Sequence, residues 1–183
     1  MTPFAHRLAA WQAQYGRNHL PWQGNDPYRV WLSEIMLQQT QVATVLQYYP
    51  RFLARFPDVE SLAAAADDDV LALWSGLGYY SRARNLHHAA RQIMAEHGGQ
   101  FPRDRAGLEM LKGVGRSTAA AIAVFAFGQK EAILDGNVKR LLARHAGIYG
   151  TPDQPATLAA LWAEAEARLP DDAATLRRYT QGL

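Results

Sequence analysis

Two carboxylic acids in this chain stand where their types and neighbours could do chemistry. Glu34 lies in Trp31-Leu32-Ser33-Glu34-Ile35-Met36-Leu37, between apolar residues, one helical turn after Val30 and one before Gln38. A carboxyl in that setting is partly desolvated, which raises its pKa and suits a general acid near neutral pH. The bland alternative is an exposed helix glutamate. Asp135 follows the apolar approach Ala132-Ile133-Leu134 and stands just ahead of a second helical run. Its bland alternative is a helix-capping aspartate. Taken together, the two acids form a pair of the kind that cleaves glycosidic bonds. One protonates the leaving group while the other stabilises an oxocarbenium-like centre. An N-glycosidic bond in a nucleotide needs the same division of labour.

Three further stretches suit a nucleic-acid partner. Gly113-Val114-Gly115 is a tight glycine turn opening the alanine-rich run Arg116–Phe127. Glycines there let backbone N–H groups approach a phosphate at the positive end of a helix. A GxG by itself is a weak signal, and a plain helix–turn–helix in a core explains it as well. The polar run Gln38-Gln39-Thr40-Gln41 closes a helix beside apolar residues. Its amides carry donors and acceptors fit for base edges, unless it is a solvated turn. In Leu77-Gly78-Tyr79-Tyr80-Ser81-Arg82-Ala83-Arg84, two aromatics follow a glycine and precede two arginines. They could stack on bases and hold phosphates, or the tyrosines could pack in the core. His87 and His88 do not share a helix face, and with His97 they make no metal site.

These residues need helices to hold them. Helical periodicity runs through the whole chain, with no alternating strand pattern. Helices are expected at about 3–15, 26–38, 40–56, just after Val59, 67–74, 80–97, a short one ending near Leu111, 116–127, 137–146 and 155–168. Another begins after Asp171-Asp172, and the chain stops at Leu183 inside it. That abrupt end is expected of a piece of a longer protein.

Composition bounds the reading. The 183 residues are 49% hydrophobic and 20% charged, as in a globular chain able to bury a core. No cysteine is present, so no disulfide or thiolate metal site can form within the chain. No apolar run is long enough for a membrane span, and Met1–Phe4 lack the charged and apolar regions of a leader. The expectation is a cytoplasmic monomer with no membrane association. Net charge is only +2, but residues 75–146 hold eleven Lys or Arg against five acids. The tail from Gly147 is net acidic. A basic middle segment that includes Arg82, Arg116 and Lys139 suits a phosphate-binding face, although uneven surface charge is common.

Ordered blocks then match one family. LPWQ (20–23), YRVWLSEIMLQQTQVATV (28–45), RF (51–52), LWSGLGYYSRARNLHHAA (73–90), GGQFP (98–102), LKGVGRSTAAAI (111–122) and ILDGNVKRLLAR (133–144) closely resemble the catalytic domain of MutY-type adenine DNA glycosylases, in the helix–hairpin–helix superfamily. The resemblance implies an all-α fold. A six-helix barrel lobe at 23–131 carries the helix–hairpin–helix at about 105–127. Residues 1–22 and 132–183 supply a second, incomplete helical lobe. It implies removal of adenine mispaired with 8-oxoguanine or guanine in double-stranded DNA, with the target base flipped out of the stack.

By the same resemblance, Glu34 is the acid that protonates adenine and Asp135 stabilises the sugar cation or a covalent intermediate. Asn137 holds Asp135 or the attacking water. Tyr79 and Gln39 are wedges near the lesion. Gln38, Thr40, Arg82, Gly113, Gly115, Arg116 and Lys139 are expected from their chemistry to contact DNA, and by the resemblance Gln181 falls near an adenine contact. The related endonuclease III lyase carries a nucleophilic lysine where this chain has Ser117, which cannot form a Schiff base. Family members carry a [4Fe–4S] cluster and a lesion-recognition domain downstream. The chain ends before either, so no cluster is expected in it. A monovalent cation at the hairpin is a further family feature. A helix–hairpin–helix DNA-binding piece without catalysis, and an endonuclease III-like glycosylase/lyase, are the competing readings.

Overall fold

The computed structural model describes residues 3–183; Met1 and Thr2, part of the segment read for a leader, lie outside them. Eleven helices and no strand occur among the described residues: α1 Pro3–Tyr15, α2 Pro27–Leu37, α3 Val42–Arg55, α4 Val59–Ala63, α5 Asp67–Trp74, α6 Tyr80–His97, α7 Arg105–Glu109, α8 Arg116–Phe127, α9 Gly136–Ala146, α10 Pro155–Ala167 and α11 Ala173–Gly182. Among the described residues, no helix is long and apolar enough to cross a membrane.

Helices α2–α8 close around one core. Helix α2 starts at Asp26, whose carboxylate accepts the Arg29 N–H at 2.9 Å, with Pro27 in the first turn. It is buried almost all round: Val30, Trp31, Leu32, Ile35 and Met36 are each 3% exposed or less. Such a helix must be covered on every side, and it packs against α3, α6 and α8. Helix α3 contributes Val45, Tyr49 and Phe52 from one stripe, and α6 contributes Ala83, Leu86, Ala90 and Ile93. Trp31 and Trp74 are fully buried, and each stabilises the fold by roughly 1.5–3 kcal/mol on the scale of a large apolar side chain. Alanines 119–121 and 123 let α8 lie close to α2 and α7.

A second, smaller core gathers Leu134, Val138, Leu142, Leu161 and Ala165 from the approach to α9, α9 itself and α10. Phe4 of α1 leans on it and stacks on His145, ring centroids 4.3 Å apart. Helix α1 packs along α11. Arg177 of α11 donates to the carbonyls of Phe125 and Gly24, which ties that helix to the larger core. The linking segment 128–135 therefore runs between the two cores and delivers Asp135 to the junction.

Element positions agree with the sequence reading except at the start of α3. That helix begins at Val42 rather than near Thr40. Gln39 has φ +57°, a left-handed backbone that no α-helix continues through.

Candidate active site

Glu34 and Asp135 line the same cleft, a cavity of about 1190 Å³ whose wall also includes Gln38, Gln39, Tyr79, Ser117 and Asn137. Each acid arrives by a different route. Glu34 projects from the middle of the buried helix α2. Its side chain is partly buried, and its carboxyl has no hydrogen-bond partner among the described residues. Burial raises it to a pKa of about 7, and the nearby Asp135 carboxylate adds to the rise. A carboxyl poised there still carries a proton in a large fraction of molecules at neutral pH, as a general acid requires.

Asp135 is the N-cap of α9. Its Oδ1 accepts the N–H groups of Asn137 at 2.8 Å and Val138 at 2.9 Å. The capping role is present, and the same residue lines the cleft. A helix N-terminus favours negative charge, so the cap fixes this carboxylate through its Oδ1. Asn137 is the second residue of α9, its side-chain oxygen accepting from Arg140. Ser117 accepts the Leu134 N–H on its hydroxyl at 2.9 Å. The residue adjoining Asp135 is thus pinned to the second residue of α8.

The two expected wedges share an unusual backbone. Gln39 (φ +57°) and Tyr79 (φ +51°) are the only non-glycine residues with positive φ among the described residues. Each such residue costs on the order of 1–3 kcal/mol and persists only when its surroundings enforce it. Tyr79 is 60% exposed at the rim of the cleft, so its ring is not a core side chain. Gln38 reaches sideways instead. Its Nε2 lies 3.4 Å from the Gly113 carbonyl and from Thr118 Oγ1, joining the end of α2 to the hairpin.

Arg82, expected to contact DNA, lines the same cleft but is engaged by the protein itself. The residue is only 7% exposed. Its Nη1 donates to the carbonyls of Ile35 (3.1 Å), Met36 (2.9 Å) and Gln38. Its Nη2 faces Thr40 Oγ1 (2.9 Å), Leu77 O (3.3 Å) and Gly78 O (3.2 Å). Three of those carbonyls are the unsatisfied end of α2, which needs donors. Charge-assisted bonds of this kind contribute about 1.5–3 kcal/mol each, too much for a solvated phosphate to displace. Arg116 and Lys139 are also engaged, but differently. Arg116 lies 3.7 Å from the centre of the Trp162 ring and pairs with Glu166 at 2.6 Å; Lys139 pairs with Asp153 at 3.2 Å. The acidic partners are largely exposed, and such pairs are worth about 0–1 kcal/mol, so a phosphate competes easily.

In the hairpin, the Val114 N–H returns to the Leu111 carbonyl at 3.1 Å. Gly113 has φ +82°, and a Cβ there would stand 2.7 Å from Asn85 Cβ. Gly115 differs: a Cβ there meets open space and its φ is −91°. Glycine at 115 answers to no packing demand of the protein itself.

Gln181 does not join the large cleft. It lines a second cavity of about 610 Å³ with Trp22, Gln23 and Phe125, and Glu34 lines that one too. Gln23 Nε2 donates to Gln181 Oε1 at 3.3 Å. Glu34 therefore forms part of the wall between two spaces. Sequence reading missed Arg17, which lines both cavities, and Arg140, which orients Asn137. The i, i+3 spacing of Asn137 and Arg140 on one helix was the available signal for the second; nothing local marked the first. No group of three or more metal-ligating side chains occurs among the described residues, and without cysteine the chain's own residues do not fit a [4Fe–4S] cluster.

Residues 32–166 match the family model described as the HhH-GPD superfamily base excision DNA repair protein. The chain belongs to that superfamily. Among curated HhH-GPD relatives it is similar to the adenine DNA glycosylase of Buchnera aphidicola subsp. Baizongia pistaciae (strain Bp), 47% identical over 146 residues, which are 79% of this chain and 42% of that protein. The adenine DNA glycosylase of Homo sapiens is 43% identical over 176 residues, 91% of this chain and 32% of that protein. The chain thus spans less than half the length of these relatives. Among solved structures, a thermostable thymine-DNA glycosylase superposes with TM-score 0.86 at 28% identity, covering 98% of this chain and 82% of that one. An endonuclease III in a non-covalent complex with DNA has the same fold, with TM-score 0.77 at 21% identity, 97% of this chain and 82% of that one. The all-α HhH-GPD glycosylase fold expected from sequence is the fold observed.

Proposed function

We propose that this chain is the catalytic core of an adenine DNA glycosylase that removes adenine mispaired with 8-oxoguanine or guanine in double-stranded DNA. One observation carries the chemistry: an unpaired carboxyl with a pKa near 7, Glu34, shares a cleft with a helix-capped carboxylate, Asp135. The choice of adenine rests on likeness to the curated relatives, at 41–47% identity.

In this reading the flipped adenine lies against Glu34, which donates its proton to a ring nitrogen. The bond between C1′ and the base breaks, and its electron pair leaves with the neutral base. Positive charge develops on the sugar, and Asp135 stabilises it across the cleft. A water then adds to C1′, and its proton passes to the ionised Glu34, which regenerates the acid. Asn137, held by Arg140, orients Asp135 or that water in this reading. Gln39 and Tyr79 enter the duplex near the lesion, and the hairpin amides hold backbone phosphate. A monovalent cation at the hairpin would bind to its backbone carbonyls.

The reaction stops at base removal. Ser117 has no amine to form a Schiff base, and its hydroxyl is engaged by the Leu134 N–H. The test is single-turnover release of adenine from a duplex with adenine opposite 8-oxoguanine, read by alkaline cleavage of the abasic product. Absence of release by this chain overturns the activity. Strand cleavage without alkali favours a glycosylase/lyase instead.

A further inference from the structure

Two turns that are distant in sequence meet on one guanidinium. The Gln38–Thr40 turn ends α2, and the Leu77–Tyr79 turn begins α6. Each places one non-glycine residue in the left-handed region, Gln39 in the first and Tyr79 in the second. Arg82 is the side chain between them. Nη1 takes the Gln38 carbonyl, Nη2 takes Thr40 Oγ1, and the same Nη2 faces the carbonyls of Leu77 and Gly78. Its guanidinium also lies 5.5 Å from the centres of the Tyr79 and Trp74 rings. Both residues flanking Gln39, and the two that lead into Tyr79, are therefore held by one planar group. That group is itself fixed by the Ile35 and Met36 carbonyls of buried helix α2.

We propose that Arg82 is a positioning residue that presets Gln39 and Tyr79 as a coupled pair of wedges, so that both enter a duplex without first reorganising their turns. The proposal rests on the reading that these two side chains enter DNA. Arginine suits the task where lysine does not. A planar fork with several donors can satisfy both turns at once, whereas an ammonium is a single point with three donors. Strained backbone conformations persist where neighbouring structure enforces them, and side chains that act on a ligand work best when supporting groups lock them.

The test uses the full chain and a duplex with adenine opposite 8-oxoguanine and 2-aminopurine beside that adenine. The readout is the rise in 2-aminopurine fluorescence as bases unstack, so an inactive chain tests it equally well. Arg82→Lys is expected to keep duplex affinity within about threefold and to slow unstacking by about tenfold or more, since removing a preset arrangement affects the step that uses it. In a Gln39→Gly/Tyr79→Gly background, the same change is expected to add less than about threefold, because the residues it acts through are gone. Thr40→Val removes one bond of the set without touching the arginine; it is expected to slow unstacking several-fold in a folded chain, should Arg82→Lys fail to fold. Wild-type unstacking by Thr40→Val or by a folded Arg82→Lys overturns the proposal, as do losses that simply multiply. Wild-type unstacking by the glycine double variant overturns the wedge reading itself, and the proposal with it.

Discussion

Replacing Glu34 by glutamine makes the buried acid visible as a pH-dependent stability difference. The unfolded chain holds this carboxyl at its ordinary value of 4.5, whereas the fold raises it to about 7. The unfolded state then ionises first as pH rises. The group's contribution to stability is therefore fully present below about 4.5, is lost as pH rises toward 7, and is flat above that. One pKa unit corresponds to about 1.36 kcal/mol, so the full loss is roughly 3 kcal/mol. About 2.5 kcal/mol of that falls between pH 5 and pH 8. The carboxyl is not sealed from solvent, so this figure is a ceiling. Glutamine keeps the shape and cannot ionise. Relative to wild type, Glu34→Gln should gain stability by up to about 2.5 kcal/mol on going from pH 5 to pH 8. Urea unfolding of both chains at four pH values in that window measures it. A stability difference that stays constant within about 0.5 kcal/mol across the window would refute the raised pKa, and with it the physical basis for Glu34 as the acid.

The remaining expectations follow from the same contacts. Glu34→Gln should abolish adenine release while leaving duplex affinity near wild type; full activity in single-turnover assays would contradict the acid assignment. Asp135→Asn should keep the cap, with thermal stability within about 0.5 kcal/mol, yet lose base release, whereas Asp135→Ala should also cost about 1 kcal/mol in denaturant unfolding. Gly113→Ala should weaken binding to every duplex and lower stability, through its positive φ and the 2.7 Å approach to Asn85 Cβ. Gly115→Ala should leave stability unchanged, and a fall in its duplex affinity, measured by anisotropy, would locate the glycine requirement at the DNA backbone alone.

Local pattern carried most of what could be read before the structure. Helix α2 was legible because Asp26-Pro27 is a start signal and its apolar residues recur at helical spacing. Glu34 stood out because it interrupts those residues. Gly113 was legible as a turn, but not the reason for it, which is Asn85 on another helix. The internal bonds of Arg82 were not legible for the same kind of cause. Next to two tyrosines and a second arginine it looks like a phosphate contact. Its fate is decided by carbonyls 44–47 positions away and a hydroxyl 42 positions away, which no window along the chain includes. The start of α3 failed in parallel, since a left-handed glutamine has no sequence signature of its own. Where long-range hydrogen bonds override local propensity, the residues involved are the strained ones beside the cleft.

Ser117 adds a last step to that argument. On sequence its importance is negative, as the residue that is not a lysine. In the fold its hydroxyl accepts the Leu134 N–H, one residue before Asp135, and joins α8 to the segment that caps α9. Asp135 is then constrained on both sides, by Ser117 through Leu134 and by its own bonds to the N–H groups of Asn137 and Val138. Ser117→Ala removes only the first constraint. It should cost about 1–2 kcal/mol, the usual range for a partly buried N–H left without its acceptor. If the constraint matters to chemistry, adenine release should fall by more than duplex affinity does, because the carboxylate must meet a charge that develops only in the transition state. Ser117→Thr, which keeps the acceptor, should recover most of the loss. Equal losses in binding and release, or no recovery by threonine, would reduce Ser117 to a residue that merely supports the fold.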